Sequence, residues 1–121
     1  MDNKEFARNL EKRTRNFAIS ILKLSSKLPN TPENKAVRYQ ISKSGPSVGA
    51  NYREANRSKS KADFINKIRI AEGEASETVY WIEVIRDMMW LNEAELIPIL
   101  KEGEELLAIF TKIYNTTKNR L

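Results

Sequence analysis

The stretch from Phe64 to Met89, FINKIRIAEGEASETVYWIEVIRDMM, decides the fold, because its apolar and small residues recur at alternating steps of four and three. The recurring positions are Phe64, Ile68, Ala71, Ala75, Thr78, Ile82, Ile85 and Met89. Such a seam is typical of helices that pack side by side in a left-handed bundle. Ser60 precedes the seam as a candidate N-cap, and Asp63 stands where a capping box has its acidic residue.

Three further segments show helical spacing, and each has a start signal. The first can begin at an Asp2 or Asn3 cap, and its stripe is Phe6, Leu10, Thr14, Phe17, Ile21, Leu24 and Leu28. The second begins with Thr31 as N-cap and Pro32 in the first turn, and its stripe is Val37, Ile41, Val48, Tyr52 and Ala55. The fourth begins at Asn92, and its stripe is Leu96, Leu100, Gly103, Leu107, Phe110 and Tyr114.

The connections between these segments are short, so consecutive helices should run antiparallel. No segment alternates apolar and polar residues as a strand would. Four glycines and four prolines are also too few to form the turns between many short strands. At 121 residues the chain has room for one core. We predict an all-α, antiparallel up-and-down four-helix bundle that forms a single domain over residues 1–121.

Two glycines and a proline interrupt the second helix. Gly45 and Gly49 lie one turn apart on its apolar face, where they would let another helix approach closely. Pro46 cannot donate to the carbonyl four residues earlier, so we predict a kink near Pro46. A full break with Ser44 as a new N-cap is the alternative. The spacing does not match a phosphate-binding loop, which needs four residues between its glycines and then Lys-Ser or Lys-Thr.

Cysteine and histidine are both absent from the sequence. This excludes disulfides, thiolate nucleophiles, histidine general bases and zinc sites of the usual ligands. We therefore predict no catalytic residue, no metal site and no cofactor. No stretch has the length of a membrane span and the N-terminus does not resemble a signal peptide, so we expect a cytoplasmic protein with no membrane partner.

The net charge of +5 conceals an asymmetry along the chain. Residues 1–71 hold 16 Lys or Arg against 6 Asp or Glu, a net charge of +10, whereas residues 72–105 hold 2 against 10, a net charge of −8. The basic part indicates a polyanion or an acidic protein surface as partner. Attraction between opposite faces of identical subunits is an equal alternative.

Basic residues are densest where the second helix passes into the third. The candidate nucleic-acid-binding residues are Arg53, Arg57, Lys59, Lys61 and Lys67, together with Arg8, Lys12 and Arg15 on the first helix. A basic cluster beside the N-terminus of a helix is suited to phosphate groups. The alternative is a solvated helix end that only keeps the protein soluble.

Acidic and aromatic residues cluster in the third helix. They are Glu72, Glu74, Glu77 and Glu83, with Tyr80 and Trp81. Paired carboxylates can bind a metal or transfer protons. Because Glu74 and Glu77 lie off the apolar seam, a solvated face or a contact between subunits is the stronger interpretation.

The stretch Ser42–Ile85, SKSGPSVGANYREANRSKSKADFINKIRIAEGEASETVYWIEVI, closely resembles the bacterial four-helix bundle proteins encoded in intervening sequences of 23S ribosomal RNA genes. It is similar, more distantly, to the accessory variability determinant of diversity-generating retroelements. The family-motif positions, which we take to be structural, are Gly45, Pro46, Ser47, Gly49, Asn51, Glu54, Phe64, Glu77 and Trp81.

The resemblance implies a homopentamer. It also implies a basic surface that in the retroelement relatives engages nucleic acid and a reverse transcriptase, and it supplies no catalytic residue. We expect a non-enzymatic protein that binds RNA or DNA, or that scaffolds a reverse transcriptase or another protein that processes nucleic acid. The alternative is a protein–protein adaptor or structural oligomer with no nucleic-acid role.

Overall fold

The computed structural model describes residues 3–119, which form four α-helices joined by short turns. They are α1 (Asn3–Ser26), α2 (Pro32–Ala55), α3 (Lys61–Asp87) and α4 (Glu93–Asn119). No strand occurs within residues 3–119. The predicted all-α class and the number of helices are confirmed.

The helices begin where the capping signals place them. The Thr31 hydroxyl accepts a hydrogen bond from the backbone N–H of Asn34 at 3.2 Å, and Pro32 is the first residue of α2. The Ser60 hydroxyl accepts from the N–H of Asp63 at 3.1 Å, and the Asn92 side chain caps α4. Each cap satisfies a backbone N–H that the helix itself cannot. Of the two candidate caps of α1, Asn3 is already the first helical residue and Asp2 lies outside the described residues.

Close contacts establish that α1 and α2 run antiparallel. Gly45 of α2 lies against Ile21 of α1, and Gly49, one turn later in α2, lies against Thr14, two turns earlier in α1. A Cβ atom built on Gly45 would lie 2.6 Å from Cγ2 of Ile21, and one on Gly49 would lie 2.8 Å from Oγ1 of Thr14. Both distances are shorter than van der Waals contact, so the two glycines permit the close approach that their spacing predicts.

The remaining neighbours are antiparallel as well. Glu72 of α3 accepts a hydrogen bond from Thr111 of α4. Val79, two turns later in α3, lies against Gly103, about two turns earlier in α4. Helix α4 contacts α1 much less than it contacts α3. The bundle is therefore of the predicted up-and-down type, with its loosest seam between the first and last helices.

The core follows the predicted stripes closely. Every apolar position predicted on α2 is buried, as are the positions of the α3 seam from Ile68 to Ile85. In α4 the stripe departs from the prediction at one core position, where Leu106 is fully buried and the predicted Leu107 only partly. The ring of Tyr52 meets that of Phe110 edge-on with centroids 5.5 Å apart, which links α2 to α4 across the core.

Two residues predicted in the core are exposed. Phe6 is 42% exposed, because it lies at the surface groove between the start of α1 and the end of α4. Met89 is 85% exposed, because α3 ends at Asp87 and Met89 adopts the left-handed conformation with φ 57°. Its N–H donates to the carbonyl of Arg86, and that of Trp90 donates to Ile85, the pattern of a Schellman motif.

Helix α2 continues through Pro46 without interruption from Pro32 to Ala55. The alternative of a full break at Ser44 is therefore wrong, and the hydroxyl of Ser44 instead lies in the core against α3. The kink at Pro46 stays a prediction. None of the helices within residues 3–119 combines the length and apolar character that crossing a bilayer requires.

Candidate nucleic-acid interface

One end of the bundle collects most of the predicted basic residues. Because consecutive helices are antiparallel, this end contains the start of α1, the turn between α2 and α3, and the end of α4. We call it the basic end. It contains Arg8, Lys12, Arg53, Arg57, Lys59, Lys61 and Lys67, and Arg15 lies one turn further along α1.

The basic residues of α1 divide between two directions. Arg8, Lys12 and Arg15 lie on one outward face and are exposed. Arg13 instead turns towards α4, where its guanidinium donates to the carboxylates of Glu102 at 2.7 Å and Glu105 at 2.8 Å. Those hydrogen bonds, with Glu102 the largest cause, raise the pKa of Arg13 above its ordinary value. Arg13 therefore joins the loosest seam of the bundle and is not part of the exposed basic face.

A groove of about 160 Å³ brings Arg15 of α1 beside Arg53 of α2. The small residues Gly49 and Ala50 also line it. The carboxylate of Glu11, which also lines the groove, accepts a hydrogen bond from Asn56 at 2.8 Å. The groove is flanked by two guanidinium groups, and its one carboxylate already has a partner.

The turn between α2 and α3 presents three cations to solvent. Arg57, Lys59 and Lys61 are exposed, and none forms an ion pair with any residue in the range 3–119. Lys61 is also the first residue of α3, where the helix dipole is positive. These three charges are therefore accessible to an anion.

Lys67 differs from the other predicted residues because it has an acidic partner. Its Nζ lies 3.5 Å from Oε1 of Glu54, which joins α3 to α2. The carboxylate of Glu54 is mostly exposed, so the pair contributes little to stability and a phosphate could compete for Lys67. Glu54, a family-motif position, thus lies within the basic end as the partner of Lys67.

Tyr114 is the residue at this end whose environment the sequence did not reveal. Its stripe position predicted a core residue, but the side chain is only half-buried. The guanidinium carbon of Arg69 lies 5.9 Å from its ring centroid and Nζ of Lys118 lies 5.6 Å away. The contact between Tyr114 and Lys118 could be predicted from the sequence, because the two residues are one helical turn apart. The contact with Arg69 could not, because Arg69 lies on another helix.

The other family-motif positions take part in local structure. The hydroxyl of Ser47 donates to the carbonyl of Lys43 at 2.7 Å, and the amide of Asn51 donates to the carbonyl of Ser47 at 2.8 Å. Phe64 packs against the core from the start of α3. These contacts lie within or between helices.

The acidic residues of α3 do not converge on a common centre. Glu72 accepts from the hydroxyl of Thr111 at 2.6 Å, and Glu77 accepts from the indole N–H of Trp81 at 3.1 Å. Burial is the largest cause that raises the pKa of Glu74, and the nearby Glu77 raises it further. Within the described part of the chain, no three acidic side chains are placed to hold a metal ion.

Comparisons with known proteins agree with this fold. The sequence model of the 23S rRNA-intervening sequence protein family matches residues 8–112. The chain is similar to the crystal structure of a protein of unknown function from the S23 ribosomal protein family of Bacteroides thetaiotaomicron, with 35% identity and a TM-score of 0.80. That match covers 86% of this chain and 96% of the other. A comparison with curated proteins found no match.

Proposed function

Because this chain belongs to the family of 23S rRNA-intervening sequence proteins, and because its bundle has a basic end, we propose that it is a non-enzymatic protein that binds RNA or DNA. The basic end contacts the phosphates, and the binding neutralises charge without reading sequence. Release of condensed counterions supplies the free energy of such binding.

One observation carries this proposal. Seven cations near one end of the bundle are exposed and form no ion pair with another residue of the range 3–119. They are Arg8, Lys12, Arg15, Arg53, Arg57, Lys59 and Lys61. Unpaired cations on three helices and a turn form a surface that a polyanion can neutralise without breaking existing pairs.

Assembly into a homopentamer is the second part of the proposal, and it comes from the family resemblance. The exposed aromatic and aliphatic side chains on the outer side of α3 support self-association, since Tyr80 is 55% exposed and Ile70 is 38% exposed. Tyr80 also packs edge-on against Trp81 with ring centroids 4.9 Å apart. A ring of copies would repeat the basic end and raise the effective concentration of weak phosphate sites.

Sedimentation equilibrium tests the assembly. We expect a mass of five chains of 14.0 kDa each. Tyr80→Lys should shift the distribution towards smaller species, because it places a charge in the apolar surface. A wild-type protein that sediments as a monomer at all concentrations would contradict the pentamer.

A protein–protein adaptor or structural oligomer with no nucleic-acid role is the rival function. The acidic residues of α3 and α4 support it, because exposed carboxylates such as that of Glu104 can pair with a basic surface. In this case the basic end would bind the acidic surface of another copy or of a partner protein.

Charge reversal separates the two functions. The double variant Arg57→Glu with Lys59→Glu should weaken binding of a fluorescent structured RNA by about tenfold or more at 50 mM salt, because it replaces two phosphate contacts with repulsion. The matched control is Lys35→Glu with Lys101→Glu, two exposed residues away from the basic end that give the same net charge. Equal losses in both double variants, or no binding by the wild type, would contradict the proposal.

A further inference from the structure

A shallow groove of about 330 Å³ lies between the first turns of α3 and the last turns of α4. It is lined by Lys61, Ala62, Ile65, Asn66, Arg69 and Tyr114. Its volume is at the lower end of the range of small-molecule sites, roughly 300–1,000 Å³. The groove is thus of a size suited to one small group, and it lies at the basic end.

The side chain of Tyr114 supplies an aromatic surface within this groove. The cationic groups of Arg69 and Lys118 lie 5.9 and 5.6 Å from its ring centroid, distances at which a cation is attracted to the ring face. The ring is half-buried, so part of it faces solvent. An aromatic ring flanked by cations is the combination that binds unpaired nucleotides in single-strand binding proteins.

We propose that this groove binds an unpaired nucleotide of RNA or DNA, with the base stacked on Tyr114 and the adjacent phosphates held by Lys61 and Arg69. This inference rests on the proposed function and specifies its substrate class, namely single-stranded segments. The base displaces one of the two cations from the ring, and the displaced cation remains near enough to pair with a phosphate.

The other lining residues suit a base. Ile65 and Ala62 are apolar and line the same groove as Tyr114, so they can contact the base face or its edge. Asn66 is exposed, and its amide can both donate and accept hydrogen bonds at the edge of a base. In single-stranded recognition, these are the stacking and edge contacts that proteins use.

The charges around the groove favour a phosphate. Lys61, Arg69 and Lys118 form no ion pair with another residue of the described range. The carboxylates of α3 nearest in sequence to the lining residues are those of Asp63 and Glu72, and Glu72 already accepts a hydrogen bond from Thr111 at 2.6 Å. The groove therefore combines a net positive charge with an aromatic surface.

A duplex cannot use this site in the same way. Its bases are paired and stacked on one another, so they offer no free face to Tyr114, although its phosphates can still contact the basic end. Selectivity for single strands should therefore depend on the tyrosine ring. Affinity for duplexes should depend only on the cations.

Fluorescence anisotropy with the full chain tests this inference. The probes are a labelled single-stranded RNA of about 12 nucleotides, the DNA of the same sequence and the blunt duplex. Tyr114→Leu should bind both single strands roughly tenfold more weakly than the wild type and the duplex within about twofold of it. Tyr114→Phe keeps the ring and is the matched control, which should bind all three probes as the wild type does.

A second variant guards against a folding defect in Tyr114→Leu, which far-UV circular dichroism would reveal. Asn66→Ala removes an exposed amide and should weaken single-strand binding alone, by roughly threefold. Unchanged single-strand affinity in the folded variants, or equal losses with the duplex, would overturn the groove assignment and leave the proposed function intact. A wild type that binds none of the probes would overturn the proposed function and this inference with it.

Discussion

The hydroxyl oxygens of Ser44 on α2 and Thr78 on α3 lie 2.8 Å apart inside the core, where both residues are almost fully buried. The Thr78 hydroxyl also lies 2.7 Å from the carbonyl of Glu74. A hydroxyl has one proton, so Thr78 donates to the carbonyl while Ser44 donates to Thr78. This bond is a polar link between two helices in an otherwise apolar layer.

Removal of either hydroxyl should destabilise the bundle to a different extent. Thr78→Val leaves the Ser44 hydroxyl buried without its partner and should lower the free energy of unfolding by about 1–3 kcal/mol. Ser44→Ala leaves Thr78 bonded to the carbonyl of Glu74 and should cost about 1 kcal/mol. Urea unfolding of both variants and of the double variant checks this. Additive costs would show that the two hydroxyls are not coupled.

The glycines of α2 and α3 should respond in opposite directions to alanine. Gly49→Ala would place a methyl group 2.8 Å from Oγ1 of Thr14 and 3.3 Å from its backbone carbonyl carbon, so we expect a loss of about 1–3 kcal/mol. Gly73→Ala, the matched control, meets nothing within 4 Å and should gain about 0.5–1 kcal/mol from helix propensity. Thermal unfolding of samples with equal sedimentation mass checks both. A stable Gly49→Ala variant would contradict the close approach of α1.

Replacement of Met89 by glycine should raise the stability of the protein, because the backbone at this position is left-handed. The φ of 57° strains any residue with a Cβ, and the exposed side chain would lose no packing. After the entropy cost of glycine, Met89→Gly should raise stability by about 0.5 kcal/mol, a Tm increase of roughly 2–4 °C. The control is Met88→Gly, since Met88 has an ordinary φ of −77° and should lose stability. A gain in both variants, or a loss in both, would refute the explanation from backbone strain.

Glu74 should make stability fall as the pH rises. Burial, assisted by Glu77, raises the pKa of its carboxyl above the ordinary value of 4.5, whereas Ser47 and Lys43 act in the opposite direction. The folded state therefore holds this proton more tightly than the unfolded state, and the stabilisation present below pH 4.5 is lost as the pH passes the raised pKa.

Glu74→Gln removes this dependence. The difference in Tm between the variant and the wild type should move in favour of the variant between pH 4 and pH 8. Glu104→Gln, at an exposed position of α4, is the control. The same trend in the control would show that the effect comes from general charge reduction and not from burial of Glu74.

The periodicity of the chain predicted most of the fold because a four-helix core repeats at the spacing of a helix turn. The seam of α3 was correct from Ile68 to Ile85, and it failed at Met89, where a helix stop without glycine gave no signal in the sequence. The burial of Phe6 was also predicted wrongly, since periodicity does not show where two helix ends separate.

The candidate site was less predictable from the sequence. The cluster of basic residues around Arg57 could be predicted, because these residues are close together in the chain. Their ion pairs could not, because those depend on which helices are neighbours. The engagement of Arg13 by Glu102 and of Lys67 by Glu54 joins residues that are distant in sequence or lie on separate helices. The contact of Arg69 with Tyr114 also joins two separate helices, so the sequence did not predict it.

A salt titration of RNA binding tests the central claim most directly, because it counts the phosphates that the basic end neutralises. We predict that the logarithm of the association constant falls linearly with the logarithm of the salt concentration. The slope should become shallower by roughly 0.7–0.9 for each phosphate-contacting Lys or Arg side chain that is removed, as in Arg57→Ala. In Lys35→Ala, away from the basic end, the slope should remain that of the wild type. Binding with no salt dependence, or an equal change of slope in both variants, would contradict a phosphate interface at the basic end.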